Sequence, residues 1–397
     1  MKITFWISVG IICYTFFVYP GVLILLAGLN QFLSDLRFAL GRGDRRKFPS
    51  HGIPVVSVII AAHNEEAVIA EKMRNCRDLE YPVDRLEILV GCDCCSDGTV
   101  AEINAAGLPN VRVFDYRERS GKPAMLNRLV PEARGEILVF SDANTMFTPG
   151  SVMSMVRRFR NPQVGAVSGE LRLLSHDGKP QAEGAYWRYE CFLKILESRL
   201  NMLVGANGAI FAIRSELYRP LPPRTINDDF LIAMRIRSEG NRVVYDPEAT
   251  AYEETVPIRQ EFNRRVRIGS GDLRALRQTW RMLLPTAGAI ALSYWSHKIC
   301  RWLVPFALVA AGISAIALYR DWFYLACALS GILLASAGAA GYILESRLRP
   351  ARFLHVPCHF FATNLGLMVG FLKDLLGNRT SVWVPTQRVT RSRSSED

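Results

Sequence analysis

With 397 residues the chain has room for one soluble domain of ordinary size and for membrane segments besides. Half of the residues are hydrophobic, and charge is nearly absent from the two ends but dense in the middle, a distribution that excludes a uniformly soluble protein. Forty-eight basic against 37 acidic side chains give a net charge of +11; with the arginines and lysines beside apolar runs, this describes attraction to anionic lipid headgroups rather than to nucleic acid.

No side chain is charged from Ile3 to Ser34, a stretch longer than the ~20 residues that cross a bilayer. A cleaved signal peptide has a shorter apolar core and a more basic start than the single Lys2, so residues 1–36 are expected to form a retained transmembrane helix. Arg37, Arg42, Arg45, Arg46 and Lys47 follow in a basic linker, 37–53. Positive charge marks the cytoplasmic side, which puts the amino terminus outside and the following domain inside, in the inner membrane of the cell.

Pro54 to Ala62 is a continuous apolar run without alternation, as in a strand buried on both faces of a parallel sheet, and it ends in His63-Asn-Glu-Glu66. A helix from Ala67 to Cys76 leads to a second strand, Leu86 to Gly91, ending in Cys92-Asp-Cys-Cys-Ser-Asp97. After a helix from about Val100 come a third strand, Val111 to Phe114, the loop Arg117 to Pro123, and a helix at Ala124 to Glu132. The fourth strand, Ile137 to Ser141, delivers Asp142 and Asn144, two oxygen donors that suit a hard divalent cation and a diphosphate. Polar groups collected at the C-terminal ends of strands alternating with helices predict an α/β nucleotide-binding sheet. The nine cysteines are scattered, and the Cys92-Asp-Cys-Cys95 cluster has no second pair at zinc spacing; they read as reduced and partly buried.

Val164 to Leu174 and Gly205 to Ile213 read as further strands around a helical stretch from Glu183 to Leu200. The turn Gly205-Ala-Asn-Gly208 allows either close approach to a ligand or a simple bend. Asn227-Asp-Asp229 opens a helix to Ser238, where acidic residues also suit the helix dipole. Residues 258–300 are basic and amphipathic, with Arg264, Arg265 and Arg267 placed for lipid headgroups or a bound phosphate. Within 301–377, Trp302 to Tyr319 and Trp322 to Leu344 are long enough to span, the latter with small faces at Gly331/Ala335 and Ala337/Gly341. The last run, Phe353 to Leu372, is expected to be a third span, although the basic tail 378–397 prefers the cytoplasmic side. That preference needs either a re-entrant last run or entry of Leu283 to Ile299 into the membrane. His355 and His359 are four residues apart, but without a third ligand they read as a polar helix face. The sequon Asn378-Arg-Thr380 lies too near the bilayer to carry meaning.

In their order along some two hundred residues these motifs resemble the membrane-bound family 2 glycosyltransferases, the group with cellulose, chitin and hyaluronan synthases and many bacterial envelope glycosyltransferases. Residues 54–257 would be the GT-A domain. The resemblance implies an inverting, metal-dependent enzyme that moves a hexose from a UDP-sugar to a lipid-linked or envelope saccharide acceptor, forming a β-linkage from an α-donor. Val55 to Glu65 is similar to the first strand and its Tyr-Asn-Glu turn, with His63 for the aromatic; Asp93 to Thr99 to the segment that contacts uracil; Gly121-Lys122 to Asn127 to the element beside the nucleotide-sugar. Ser141-Asp-Ala-Asn144 falls at the Asp-x-Asp motif and Asn227-Asp-Asp229 at the Thr-Glu-Asp motif of the catalytic base. On this basis Ala61, His63, Glu65, Asp93, Lys122, Asp142, Arg264 and Arg267 are expected around the donor, Asp142 and Asn144 on Mg²⁺ or Mn²⁺, and Asp229 as the base. Asn144 removes one ligand charge, and Arg264 and Ile268 replace the Gln and Trp of Gln-x-x-Arg-Trp, which argues against processive synthesis. A processive synthase and a catalytically silent nucleotide-sugar-binding subunit, partnered by envelope-biosynthesis proteins, are the alternatives. A transporter fits less well, because few polar residues mark a path through the membrane.

Overall fold

The computed structural model describes residues 1–41, 52–174, 184–346 and 352–377; most of the basic linker, the tail and the sequon lie outside them. The chain begins with α1 (Lys2–Cys13), continues through a wide turn, Tyr14–Val18, into α2 (Tyr19–Ala39), and reaches the sheet at β1 (Val56–Ala62). Then follow α3 (Glu66–Arg77), β2 (Leu86–Asp93), α4 (Thr99–Ala105), β3 (Val111–Tyr116), α5 (Lys122–Leu129) and β4 (Ile137–Asp142). These are the four strands expected from the sequence, parallel and each followed by its helix or turn, in spatial order β3-β2-β1-β4. Their apolar runs are continuous because both faces are covered: Val58 and Ile60 of β1 enter one core cluster while Ile59 between them enters the other. Each such side chain, wholly buried, contributes roughly 1.5–3 kcal/mol of transfer free energy.

The second half adds β5 (Met146–Phe147), α6 (Ser151–Arg158), β6 (Val164–Leu174), α7 (Gly184–Arg199), β7 (Ile210–Arg214), α8 (Asp228–Ser238) and β8 (Arg242–Glu254). The eight strands form one sheet in the order β3-β2-β1-β4-β7-β6-β8-β5. Antiparallel pairing of β7 with β4 matters most for function, because Ser141 lies opposite Ile210 and the glycine turn before β7 therefore meets the acidic end of β4. Phe140 and Phe211, opposite one another, stack with ring centroids 4.6 Å apart and fix that register.

Beyond the sheet lie α9 (Ile258–Thr279), α10 (Ala289–Ser293), α11 (Cys300–Ala317), α12 (Trp322–Ser346) and α13 (Arg352–Leu375). Among the described residues three helices are long and apolar enough to cross a membrane, Lys2–Ala39, Ala289–Ala317 and Trp322–Glu345. The second of these helices contains most of the run expected from Trp302 and extends back to Ala289, and the last run, α13, falls outside the three by its hydropathy. Its Pro357, Asn364, Lys373 and Asp374 lower its hydropathy, and it lies along α9 instead: Arg274 and Arg277 both pair with the buried Asp374, at 2.7 and 2.9 Å. The two helices approach closely through glycines, since a Cβ on Gly370 would stand 2.2 Å from the Val266 carbonyl and one on Gly269 2.6 Å from that of Leu367. Gly341 of α12 likewise faces Cys358 and Leu354 of α13, whereas Gly331 has nothing within 4 Å. Gly370→Val is therefore expected to lower the thermal midpoint in detergent by several degrees and Gly331→Val to leave it unchanged; equal midpoints would show that α9 and α13 do not pack this way.

A buried polar cluster joins the domain to the apolar helices. Glu197 of α7 accepts from Tyr19 of α2 (2.6 Å), Ser293 (3.0 Å) and His297 Nδ1 (2.7 Å), while Glu190 pairs with His297 Nε2 (3.3 Å) and Arg301. Glu190 and Glu197 carry no local sequence signal: on α7 they are spaced to face one side, and only the tertiary fold brings their partners.

Candidate active site

The site forms where β4 ends. Asp142 is its last residue and Asn144 sits on the turn beyond, a turn braced from beneath by Lys72 of α3. The fully buried Lys72 ammonium donates to Ser141 Oγ at 2.8 Å and to the Thr145 carbonyl at 2.5 Å; burial pulls it below its ordinary value. Asn144 Nδ2 donates to Glu253 Oε1 at 2.6 Å, which fixes the amide plane.

Opposite stands the loop before α5. Asp93 at the end of β2 accepts from the Ser120 and Gly121 amides at 2.7 and 2.8 Å and from Ser120 Oγ at 3.2 Å. Gly121 there has φ +84°, a backbone conformation that disfavours any side chain. Asp93, expected against a uracil ring, thus has both carboxylate oxygens on this loop and shapes the entry to α5. His63 Nδ1 lies 2.6 Å from the Asp93 carbonyl, the Glu65 amide donates to Thr99 Oγ1 at 2.9 Å, and Ala61 is in register with Gly91 and Asp142. These three gather around the strand ends.

Lys122, the first residue of α5, brings the halves together: its Nζ is 2.7 Å from Asp142 Oδ1 and 3.5 Å from Asp228 Oδ2. Burial acts to lower the Lys122 pKa, but Asp142, Asp228 and Asp229 together hold it above its ordinary value. Asn127, one turn further, locks the opposite wall by donating to the Leu221 carbonyl (2.9 Å) and accepting from the Leu221 amide (2.7 Å) and the Tyr218 hydroxyl (2.8 Å). The result is a cavity of about 290 Å³ lined by Lys122, Asp142, Asp228 and Arg267 among others. Burial depresses the Arg267 guanidinium against the pull of Asp142, Asp228 and Asp229. Arg264 forms an ion pair with Glu261 at 2.7 Å that Arg265 shares at 2.6 Å, and its charge also bears on Arg267. One helical turn sends residues 264 and 267 to different partners because the buried Glu261 captures the nearer arginines.

Asp229 is half-buried beside the Gly205–Gly208 turn; a Cβ on Gly208 would come within 3.1 Å of its Oδ2. Gly205 has φ +91° and lies outside the strand, and a Cβ there would stand 2.8 Å from the Phe230 ring, so the turn packs closely on α8. Burial and then the neighbouring Asp228 push the Asp229 carboxyl up to about 6, against Lys122 and Lys298. Asn227 precedes α8 without a side-chain capping bond, and both acids lie in the first turn, where the helix dipole also favours them. Below them Asn227 Nδ2 donates at 2.7 Å to Asp272, a carboxyl pushed up to about 7 by burial and opposed by Lys298 and Asn227.

Sequence reasoning missed the Asp228–Lys122 pair and the roles of Lys72, Asp272 and Lys298. A signal existed for Lys72, which falls on the buried stripe Ile69, Met73, Cys76 of α3.

The profile described as "Glycosyltransferase like family 2" matches residues 54–267, more than half of the chain. The beta-monoglucosyldiacylglycerol synthase of Trichormus variabilis is 36% identical over 120 residues, 29% of this chain and 25% of that protein. The probable glycosyltransferase YdaM of Bacillus subtilis is 26% identical over 225 residues, 51% of each chain. The matches thus span between a quarter and about half of these relatives' length. In fold, the mannosyltransferase PcManGT of Pyrobaculum calidifontis, solved in complex with GDP-Man and Mn²⁺, is similar with a TM-score of 0.70 at 21% identity, covering 94% of this chain and 99% of that one. The mixed sheet is thus that of a GT-A domain, and the chain belongs to the family 2 glycosyltransferases.

Proposed function

We propose that this enzyme transfers one hexose from a UDP-sugar to a lipid-linked or saccharide acceptor at the cytoplasmic face of a membrane, with inversion at the anomeric carbon. The observation that carries this reading is the meeting of Lys122, Asp142, Asp228 and Arg267 at one cavity, with Asp229 beside it. Lys122 and Arg267 would hold the diphosphate and take up the negative charge that grows on it as it leaves. Asp229, free of the Lys122 ion pair and titrating near 6, would accept the proton of the acceptor hydroxyl while that oxygen attacks the anomeric carbon. The carbon–oxygen bond to the diphosphate breaks, its electron pair stays on the diphosphate oxygen, and a β-linkage results from an α-donor.

The residues present also fit a divalent ion. Asp142 and Asp228 both lie against the Lys122 ammonium, and the buried Asp228 Oδ2 makes no hydrogen bond among the described residues. Asp142, Asp228 and the Asn144 amide oxygen would hold Mg²⁺ or Mn²⁺, which when bound supplies charge neutralisation at the diphosphate. With the amino terminus outside, the three apolar helices return the chain to the cytoplasmic side before α13, where the basic tail also belongs by its charge. α9 and α13 would then lie at the membrane surface and bring a lipid acceptor's headgroup to the site.

Membranes containing the protein, incubated with radiolabelled UDP-glucose or UDP-N-acetylglucosamine and Mn²⁺ or Mg²⁺, are expected to yield a labelled glycolipid or short saccharide. Absence of both transfer and donor hydrolysis with every common UDP-sugar would refute the reading, and a long polymer would favour a processive synthase. Because Asp229 must be ionised to accept a proton, kcat/KM is expected to fall about tenfold per pH unit below about pH 6. A flat acidic limb down to pH 5 would exclude Asp229 as the base.

A further inference from the structure

Folding supplies a third ligand for the two histidines that sequence left as a pair. Glu345 at the end of α12 meets His355 and His359 on the first turns of α13, and one ligand atom from each lies within 4.8 Å of the others. We propose that Glu345, His355 and His359 form a site for a first-row transition metal, zinc foremost, that clips α12 to α13.

His355 Nδ1 is 3.8 Å from Glu345 Oε2 and His359 Nε2 is 3.8 Å from Glu345 Oε1, with the two imidazole rings 4.1 Å apart. A charge-assisted hydrogen bond would close to about 2.8 Å. Two ligands each about 2.0–2.2 Å from a shared tetrahedral ion stand roughly 3.4 Å apart, so the observed spacing is nearer to that of groups facing across an ion. The three side chains are between a fifth and a quarter exposed, which leaves access for the metal and for a water as fourth ligand. The buried Cys358 places its Sγ 3.9 Å from Glu345 Oε2, a soft donor at the edge of the same cluster. Two imidazoles and one carboxylate select zinc, copper or nickel over magnesium or calcium, whereas the all-oxygen set at Asp142 and Asp228 selects the opposite way.

The consequence is mechanical. A metal here would fix the start of α13, and α13 backs α9 at Gly269, Gly366 and Gly370, the helix whose Arg267 reaches the catalytic cavity. The site is independent of the donor chemistry, so its test does not use glycosyl transfer.

The full chain, purified in detergent with a histidine-free tag, would be incubated with ZnCl₂, desalted and assayed for metal by mass spectrometry, with thermal midpoints measured in parallel. About one zinc per chain is expected in the wild type and in Asp142→Ala, and roughly a tenth of that in His355→Ala and His359→Ala. Zinc should raise the midpoint of the wild type and a chelator should reverse the rise, with neither effect in His355→Ala. Should a variant fail to fold, the wild-type melts with zinc and with chelator decide alone. No retained zinc and no shift in the wild type, or equal retention in the histidine variants, would overturn the proposal.

Discussion

Replacing Asp229 with asparagine is expected to lower kcat about a thousandfold while leaving the KM for the donor within about twofold. Asparagine keeps the volume and the hydrogen-bonding shape beside Gly208, so the fold should survive, but it has no lone pair able to take the acceptor's proton. Asp228→Asn is the control that makes the result specific. Asp228 is paired with Lys122 and lines the cavity, so its neutralisation should raise the donor KM and reduce kcat by only about tenfold. Steady-state kinetics of the two variants with a fixed acceptor separate the roles. If Asp228→Asn suffers the larger loss in kcat, the base is Asp228 and the neighbouring carboxylate merely tunes it.

Lys122→Met is the second large effect. It removes the ammonium that joins Asp142 to Asp228 and leaves only the proposed divalent ion between the two carboxylates. Loss of a charge that stabilises the departing diphosphate should cost about a hundred- to a thousandfold in kcat and raise the donor KM as well. A second readout follows from the sign of the electrostatics. Lys122 holds the Asp229 carboxyl down, so removing it should move the acidic limb of the pH profile to higher pH. A limb that stays in place, measured from kcat/KM between pH 5 and 8, would show that Lys122 and Asp229 do not share one electrostatic environment.

The parallel half of the sheet was legible in the sequence because its signal is local. Four apolar runs ending in polar clusters mark β1 to β4, and the Gly121-Lys122 and Asp142 motifs sit at their ends. The pairing of β7 against β4 was not legible, since antiparallel insertion depends on partners seventy residues apart that no periodicity records. The same holds for Arg264 and Arg267: helical spacing places both on α9, yet only the packing shows that Glu261 engages one and the cavity receives the other. That both Asp93 carboxylate oxygens accept from the loop before α5 was likewise visible only in the fold. The packing of the C-terminal run was not legible either: its glycines bring it against α9 and α12, and hydropathy cannot tell a helix neighbour from a bilayer. Glu345 escaped notice for a related reason, being on a different helix from its histidines.

The most direct measurement is an experimental structure of the full chain bound to UDP and Mn²⁺ in a lipid environment. Diphosphate density is expected between Lys122, Asp142 and Arg267, with the Asp229 carboxylate open toward the place of the missing sugar. A nucleotide bound elsewhere on the protein, or one seated in this cavity with Asp229 walled off from the diphosphate, would contradict the proposed chemistry.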